Sequence, residues 1–221
     1  MIKGEYDNAV DDVKTPRDRR ARHAAQTRLR IVEAAAKLFV ERGYSATTIE
    51  AVAAEADVAV ETVYARFKNK RNLLKEYLDV SIVGDAAPVP LLDRPEVKAV
   101  ARATDQREQV RLAARVMRGV LERNAPVHAV LRTAIGVAPE LDALADEDET
   151  RRNATRRAFV EMLASRGPLR DGMSIADATD TVSAIANPET YAYLTRRRGW
   201  SAARVQRWLE ESLTLLLLPP P

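Results

Sequence analysis

Apolar residues recur at helical spacing through most of this 221-residue chain, and strand-type alternation is hard to find. Ile31, Val32, Ala35, Leu38 and Phe39 form one stripe, predicting a helix over about 25–42. Gly43 follows where a left-handed residue commonly ends a helix. Ile49, Val52, Ala53 and Ala56 fall at i, i+3, i+4 and i+7, with Thr47 or Thr48 available as the N-cap. Val60, Val63, Tyr64 and Phe67 repeat those offsets after a turn at Asp57 and Val58. A fourth helical pattern opens near Lys70 and reaches Val83, and 84–95, with three prolines, reads as a loop. Further amphipathic helices are expected near 96–103, 106–123, 126–137, 140–165, 174–197 and 201–218. Pro126, Pro139 and Pro168 punctuate their junctions. Ser174 and Asp177 have capping-box spacing, and Asn187-Pro188 should bend or break the helix that holds it.

Two short helices joined by a three-residue turn, each with one apolar face, describe a helix-turn-helix. The small side chain of Ala53 permits close approach of the pair, and Val58 plugs the corner. The outward side of the second short helix then carries Glu61, Thr62, Ala65 and Arg66, available to base edges. Lys68, Lys70 and Arg71 follow at positions suited to phosphates. The predicted fold is all-α: an N-terminal three-helix helix-turn-helix domain plus a larger C-terminal helical region.

Charge sharpens this picture. From Lys14 to Lys75 there are 14 Lys or Arg against 7 Asp or Glu, whereas Glu76 to the end has 20 against 21. A basic first third on a neutral remainder fits contact with a polyanion, although a solvated basic face has the same composition. Residues 1–22 read as a flexible basic arm. Such an arm either follows a phosphate backbone or solubilises the chain.

Chemistry-bearing constellations are scarce. No cysteine is present, which excludes disulfides and thiolate sites. The two histidines, His23 and His128, do not share a metal-ligand spacing, and the eight glycines form no phosphate loop. Asp146, Glu147, Asp148 and Glu149 are consecutive, so on a helix they point in different directions and read as a solvated face. The expectation is no enzyme, no cofactor and no metal. No apolar leader or bilayer-length apolar run is present, so a cytoplasmic chain that avoids the membrane is expected.

The stretch "RIVEAAAKLFVERGYSATTIEAVAAEADVAVETVYARFKNKRNLL" (30–74) resembles the N-terminal domain of the TetR family of transcriptional regulators. The resemblance rests on Ala35, Leu38, Phe39, Gly43, Tyr44, Thr48, Ile49, Val52, Ala53, Ala56, Val58, Thr62, Tyr64, Phe67, Lys70 and Leu74. It implies that Thr48, Tyr64 and Lys70 hold DNA phosphates and that Arg66 touches DNA. The sequence departs from the family at Asp57, where Gly is usual, and at Ala59, which replaces a Ser N-cap at a cost of about 1 kcal/mol. Val60 has the spacing of a packed residue, whereas the resemblance puts it near DNA. Glu61 either accepts from cytosine or repels phosphate.

The resemblance also implies a C-terminal dimerisation and ligand-binding domain, and 187–218 is similar to the last helices of many members. The expected division is a helix-turn-helix domain over 23–69 and a regulatory domain over 70–221. Within the latter, helix 4 (70–83) is the connector and the dimerisation helices occupy about 174–218. Met117, His128, Asn187 and Tyr191 are candidate ligand contacts. Val182, Val205, Trp208, Leu209 and Leu216 are candidate dimer contacts, because the last helix is apolar on more than one side. The expected function is a homodimeric repressor of a (pseudo)palindromic double-stranded DNA operator, released by a small, mostly apolar effector. The alternative is an effector-independent DNA-binding protein.

Overall fold

A computed structural model of the protein describes residues 16–84 and 91–220. Among these residues there are helices and turns and no strand, as the periodicity requires. The first helix, α1 (Pro16–Ala46), is interrupted at Gly43, whose φ of 79° no β-carbon-bearing residue adopts cheaply. It begins at Pro16 rather than near Ala25, so the stretch read as a flexible arm is helical from residue 16. Ala and Arg, both strong helix formers, dominate that extension, and proline suits a first helical position. Residues 1–15 of the expected arm lie outside the described residues.

Two short helices follow, α2 (Ile49–Glu55) and α3 (Val60–Phe67). Thr48 caps α2, its Oγ1 accepting from the Ala51 amide at 3.1 Å. Thr47 instead turns inward and its buried hydroxyl bonds the carbonyls of Gly43 and Leu38. The turn closes through the Val58 amide on the Ala53 carbonyl at 3.0 Å, with Asp57 at φ 51°. Arg30 of α1 braces it by donating to the Asp57 carbonyl at 3.3 Å. Ala59 provides no side-chain cap to α3, as expected. Val60 is half-buried and packs on the core, as its spacing predicts.

The fourth helix, α4 (Lys70–Val83), is capped by Asn69 and closed by Gly84. Ile31, Leu38, Phe39, Val52, Val63, Leu73, Leu74 and Leu78 bury together between α1 and α4. At about 1.5–3 kcal/mol per large apolar side chain, this interior holds the short α2 and α3, which could not persist alone.

The C-terminal region comprises α5 (Pro95–Arg102), α6 (Gln106–Ala134), α7 (Asp142–Ala164), α8 (Ile175–Ile185), α9 (Pro188–Ala192) and α10 (Ala202–Leu217). Here the structure corrects one expectation. The two helices predicted on either side of Pro126 are one continuous α6. Its buried stripe, from Val110 and Ala114 through Leu121 and Ala125 to Val130 and Ala134, crosses the proline without changing face. Tertiary packing of that stripe outweighs the roughly 3 kcal/mol that an internal proline costs.

The other breaks fall where expected. Asn187 caps α9 through the Thr190 amide at 2.7 Å, and Ser174 with Asp177 forms the capping box of α8. The end of α6 and the start of α7 join the first core through Val127, Val130, Leu131, Leu141 and Leu144, and a second core is built by α5 to α10. The α10 stripe Val205, Leu209, Leu213 and Leu217 is sunk into that second core.

Candidate nucleic-acid interface and ligand cavity

The outer face of α3 is open. Glu61, Ala65, Arg66 and Lys68 are exposed, and Tyr64 is 46% exposed, while Val63 and Phe67 anchor the opposite face. Thr62 is half-buried. Thr48 is exposed at the head of α2; its oxygen accepts the cap bond, which leaves its O–H free to donate to a phosphate. Thr48 at the head of α2 and Tyr64, Arg66 and Lys68 in and just after α3 are therefore exposed donors, with Glu61 exposed in the first turn of α3.

Lys70 does something different from the phosphate grip expected of it. Its Nζ donates to the carbonyls of Tyr44 and Thr47, each at 2.9 Å, and lies 3.4 Å from that of Ser45. It also sits 4.3 Å from the centroid of the Tyr44 ring. All three ammonium protons face the turn between α1 and α2, and burial lowers its pKa. Arg71 is likewise engaged, donating to the Glu140 carbonyl at 2.8 Å and pairing with Glu147 at 3.3 Å. Both side chains tie the head of α4 to neighbouring elements.

Beneath α4 lies a cavity of about 420 Å³. Ile82 and Val83 of α4, Val97 and Val100 of α5, Met117 and Leu121 of α6, Phe159 of α7 and Val182 of α8 supply its apolar lining. Its polar lining is Asp79, Asn124, Arg151, Arg152, Thr155 and Arg156. Of the four ligand candidates, Met117 lines the cavity. The other three do not line it. His128 is buried beside Asp148, with Nε2 3.3 Å from Oδ2. Tyr191 is sunk in the second core, and Asn187 is spent as a helix cap.

The acidic run behaves as consecutive helical positions must, with one departure from a solvated face. Asp148 is fully buried, and its carboxylate pairs with Arg151 at 2.8 Å and Arg152 at 3.1 Å. Glu149 pairs with Arg152 and, at 3.1 Å, with Arg156. Arg151 continues the chain to α4 through Asp79 at 2.7 Å. Arg152, Arg156, Phe159 and Leu163, spaced four, three and four apart, share one face of α7, so charge enters the buried stripe there. That interruption is the sequence signal for the cavity wall.

Among the dimer candidates, Val182, Val205 and Leu209 are buried in the chain's own core and have no surface to offer a partner. Trp208 is half-buried, meeting Trp200 edge-on at 6.2 Å, and Leu216 is exposed. Leu215, at 68% exposure, and Tyr193 stand out in the same C-terminal region. Among the described residues no helix is long and apolar enough to cross a membrane, and no group of three His, Cys, Asp or Glu side chains could hold a metal ion.

Residues 31–77 match the family model described as bacterial regulatory proteins, tetR family. The HTH-type transcriptional regulator YvkB of Bacillus subtilis (strain 168), itself uncharacterised, is 42% identical over 52 residues, 24% of this chain. The chain spans about a quarter of the length of the curated relatives it first matches, 28% and 24%. Two solved structures share the fold over nearly the whole chain. A transcriptional regulator from Saccharomonospora viridis in complex with choline has a TM-score of 0.64 at 22% identity, covering 87% of this chain and 97% of that one. FadR from Bacillus subtilis in complex with stearoyl-CoA has a TM-score of 0.65 at 17% identity, covering 84% and 96%. The helix-turn-helix segment 31–77 thus matches the tetR family model, and the chain as a whole shares the fold of these two solved transcriptional regulators.

Proposed function

We propose that this protein is a homodimeric, cytoplasmic, ligand-responsive repressor rather than an enzyme. It binds a (pseudo)palindromic operator through α3 and is released when a small effector enters the cavity under α4. The observation that carries this reading is the double role of α4. Its first turn holds the helix-turn-helix through Lys70, and Asp79, Ile82 and Val83 near its far end line the cavity.

The cavity wall also grips α4. Arg123 of α6 donates to the Ser81 and Ile82 carbonyls at 3.1 and 3.0 Å, and the Ser81 hydroxyl donates to Asn124 at 2.8 Å. Arg151 holds Asp79 from α7. A ligand that draws Asn124 or Arg151 toward itself loosens that grip, and linkage requires DNA affinity to fall by the same factor. Exposed Leu215, Leu216 and Tyr193 support pairing of the α10 region with a second copy, which brings two α3 helices to two half-sites.

Retention of fragmented genomic DNA by the purified protein, then release by a small-molecule library, tests the reading. Selective fragments that one compound class releases are the expected result. Failure to retain any duplex at low ionic strength would overturn DNA recognition, and release by no compound would overturn ligand response.

A further inference from the structure

We infer that the cavity takes a small monoanion, a carboxylate on an apolar body, and that Arg156 binds its charged end. The inference deepens the ligand-responsive reading and rests on it for its regulatory meaning.

The lining carries three guanidinium groups, Arg151, Arg152 and Arg156, against one carboxylate, Asp79. Asp79 is already shared by two cations, Lys75 at 3.0 Å and Arg151 at 2.7 Å, so an incoming cation meets a carboxylate that is fully engaged. Asp148 neutralises Arg151 and Arg152 from behind the wall, where it is fully buried and does not line the cavity. Arg156 is the member that does not pair with Asp148; its one carboxylate partner is Glu149. It is nine-tenths buried and offers five N–H donors, yet it makes one 3.1 Å bond to the half-exposed Glu149 and one long 3.5 Å contact to the Ala186 carbonyl. Burial also pulls its pKa below the usual arginine range, as expected of a cation short of compensating acceptors.

A ligand carboxylate would supply those acceptors in the two-pronged geometry that a guanidinium favours. Around it the walls are apolar, with Met117, Leu121, Phe159, Met162 and Val182 and no further carboxylate beyond Asp79. The cavity volume lies within the range usual for small-molecule sites. Chain length should tighten binding by about fourfold per buried methylene, while the carboxylate sets selectivity.

The test is calorimetric titration of the full chain with decanoate, decan-1-ol and decyltrimethylammonium, on the wild type and on Arg156→Gln and Arg156→Lys. Decanoate should bind at least about tenfold tighter than the other two. Arg156→Gln should weaken decanoate by about 10- to 100-fold and leave decan-1-ol unchanged; Arg156→Lys should keep part of the preference. Equal binding of alcohol or cation by the wild type, binding of none of the three, or undiminished decanoate binding by Arg156→Gln overturns the inference. If Arg156→Gln does not fold, the wild-type comparison decides alone. Release of bound duplex is read separately. Decanoate binding without duplex release keeps the ligand class and removes the regulatory reading. Duplex release by other compounds without decanoate binding does the reverse.

Discussion

Lys70 donates to the Tyr44 carbonyl at 2.9 Å while its ammonium sits 4.3 Å from the centroid of the same residue's ring. One side chain at the head of α4 thus ties off the end of α1, and Tyr44 is in turn stacked on Phe39 in the first core, their centroids 5.7 Å apart. Lys70→Ala leaves the Tyr44 and Thr47 carbonyls without this donor. We expect a loss of about 1–3 kcal/mol in stability, measured by urea unfolding, with DNA affinity falling as a consequence. Unchanged stability with a shallower salt dependence of DNA binding would return Lys70 to the phosphate-gripping role.

Tyr64, Arg66 and Lys68 should behave in the opposite way, because they are exposed and their removal opens no core. Lys68→Ala should lower the slope of log affinity against log salt by about 0.9. Arg66→Ala should change the preferred sequence by about 1–3 kcal/mol at one position, and Tyr64→Ala should weaken all duplexes alike. Competition binding over a randomised duplex library separates these outcomes.

Ala59 precedes α3 without capping it. Ala59→Ser offers an acceptor to the first-turn amides and should stabilise the protein by about 1 kcal/mol in thermal or urea unfolding. No gain would mean that the α3 amides are satisfied in another way.

His128 gives a pH dependence of defined sign. Its imidazole is pushed down to about 4 by burial first and by the Arg152 cation second, against the pull of Asp148. Glu149 and Glu189 also act on it from a distance, in the same sense as Asp148. The unfolded chain takes up this proton near pH 6.5, so between about 6.5 and 4 the unfolded state binds more protons. Stability from this residue is therefore complete above about 6.5 and falls by about 3 kcal/mol as pH drops to about 4. In His128→Gln the urea midpoint should lose much of its slope across that window; an unaltered slope would assign the acid sensitivity to other groups.

The helix-turn-helix was legible from residue order because its information is local. Offsets of three and four fix which face of α2 and α3 is buried, Thr48 marks the start of α2 and Gly43 the break in α1. The outward faces of Glu61, Ala65 and Arg66 follow from the same periodicity, whereas Tyr64 has the spacing of the buried face and is nonetheless exposed. The partners of Lys70 and Arg71 were not legible, because periodicity reports that a side chain is polar and not which carbonyl or carboxylate it meets across the fold. Residues Tyr44, Thr47, Glu140 and Glu147, distant in sequence, decided that.

Distance along the chain explains the remaining differences. Pro126 marks a boundary in sequence, but one apolar stripe packed on several partners carries α6 through it. Val182, Val205 and Leu209 are apolar and so had to be buried, yet only the packing of α10 against α6 and α8 decides that this chain buries them itself. The cavity draws on six helices, and its arginines sit among apolar residues of α7 because the buried Asp148 carboxylate offsets part of the cost of their charge. Spacing rules read a face; a cavity exists only where several faces fail to close, and that is a property of the assembled helices.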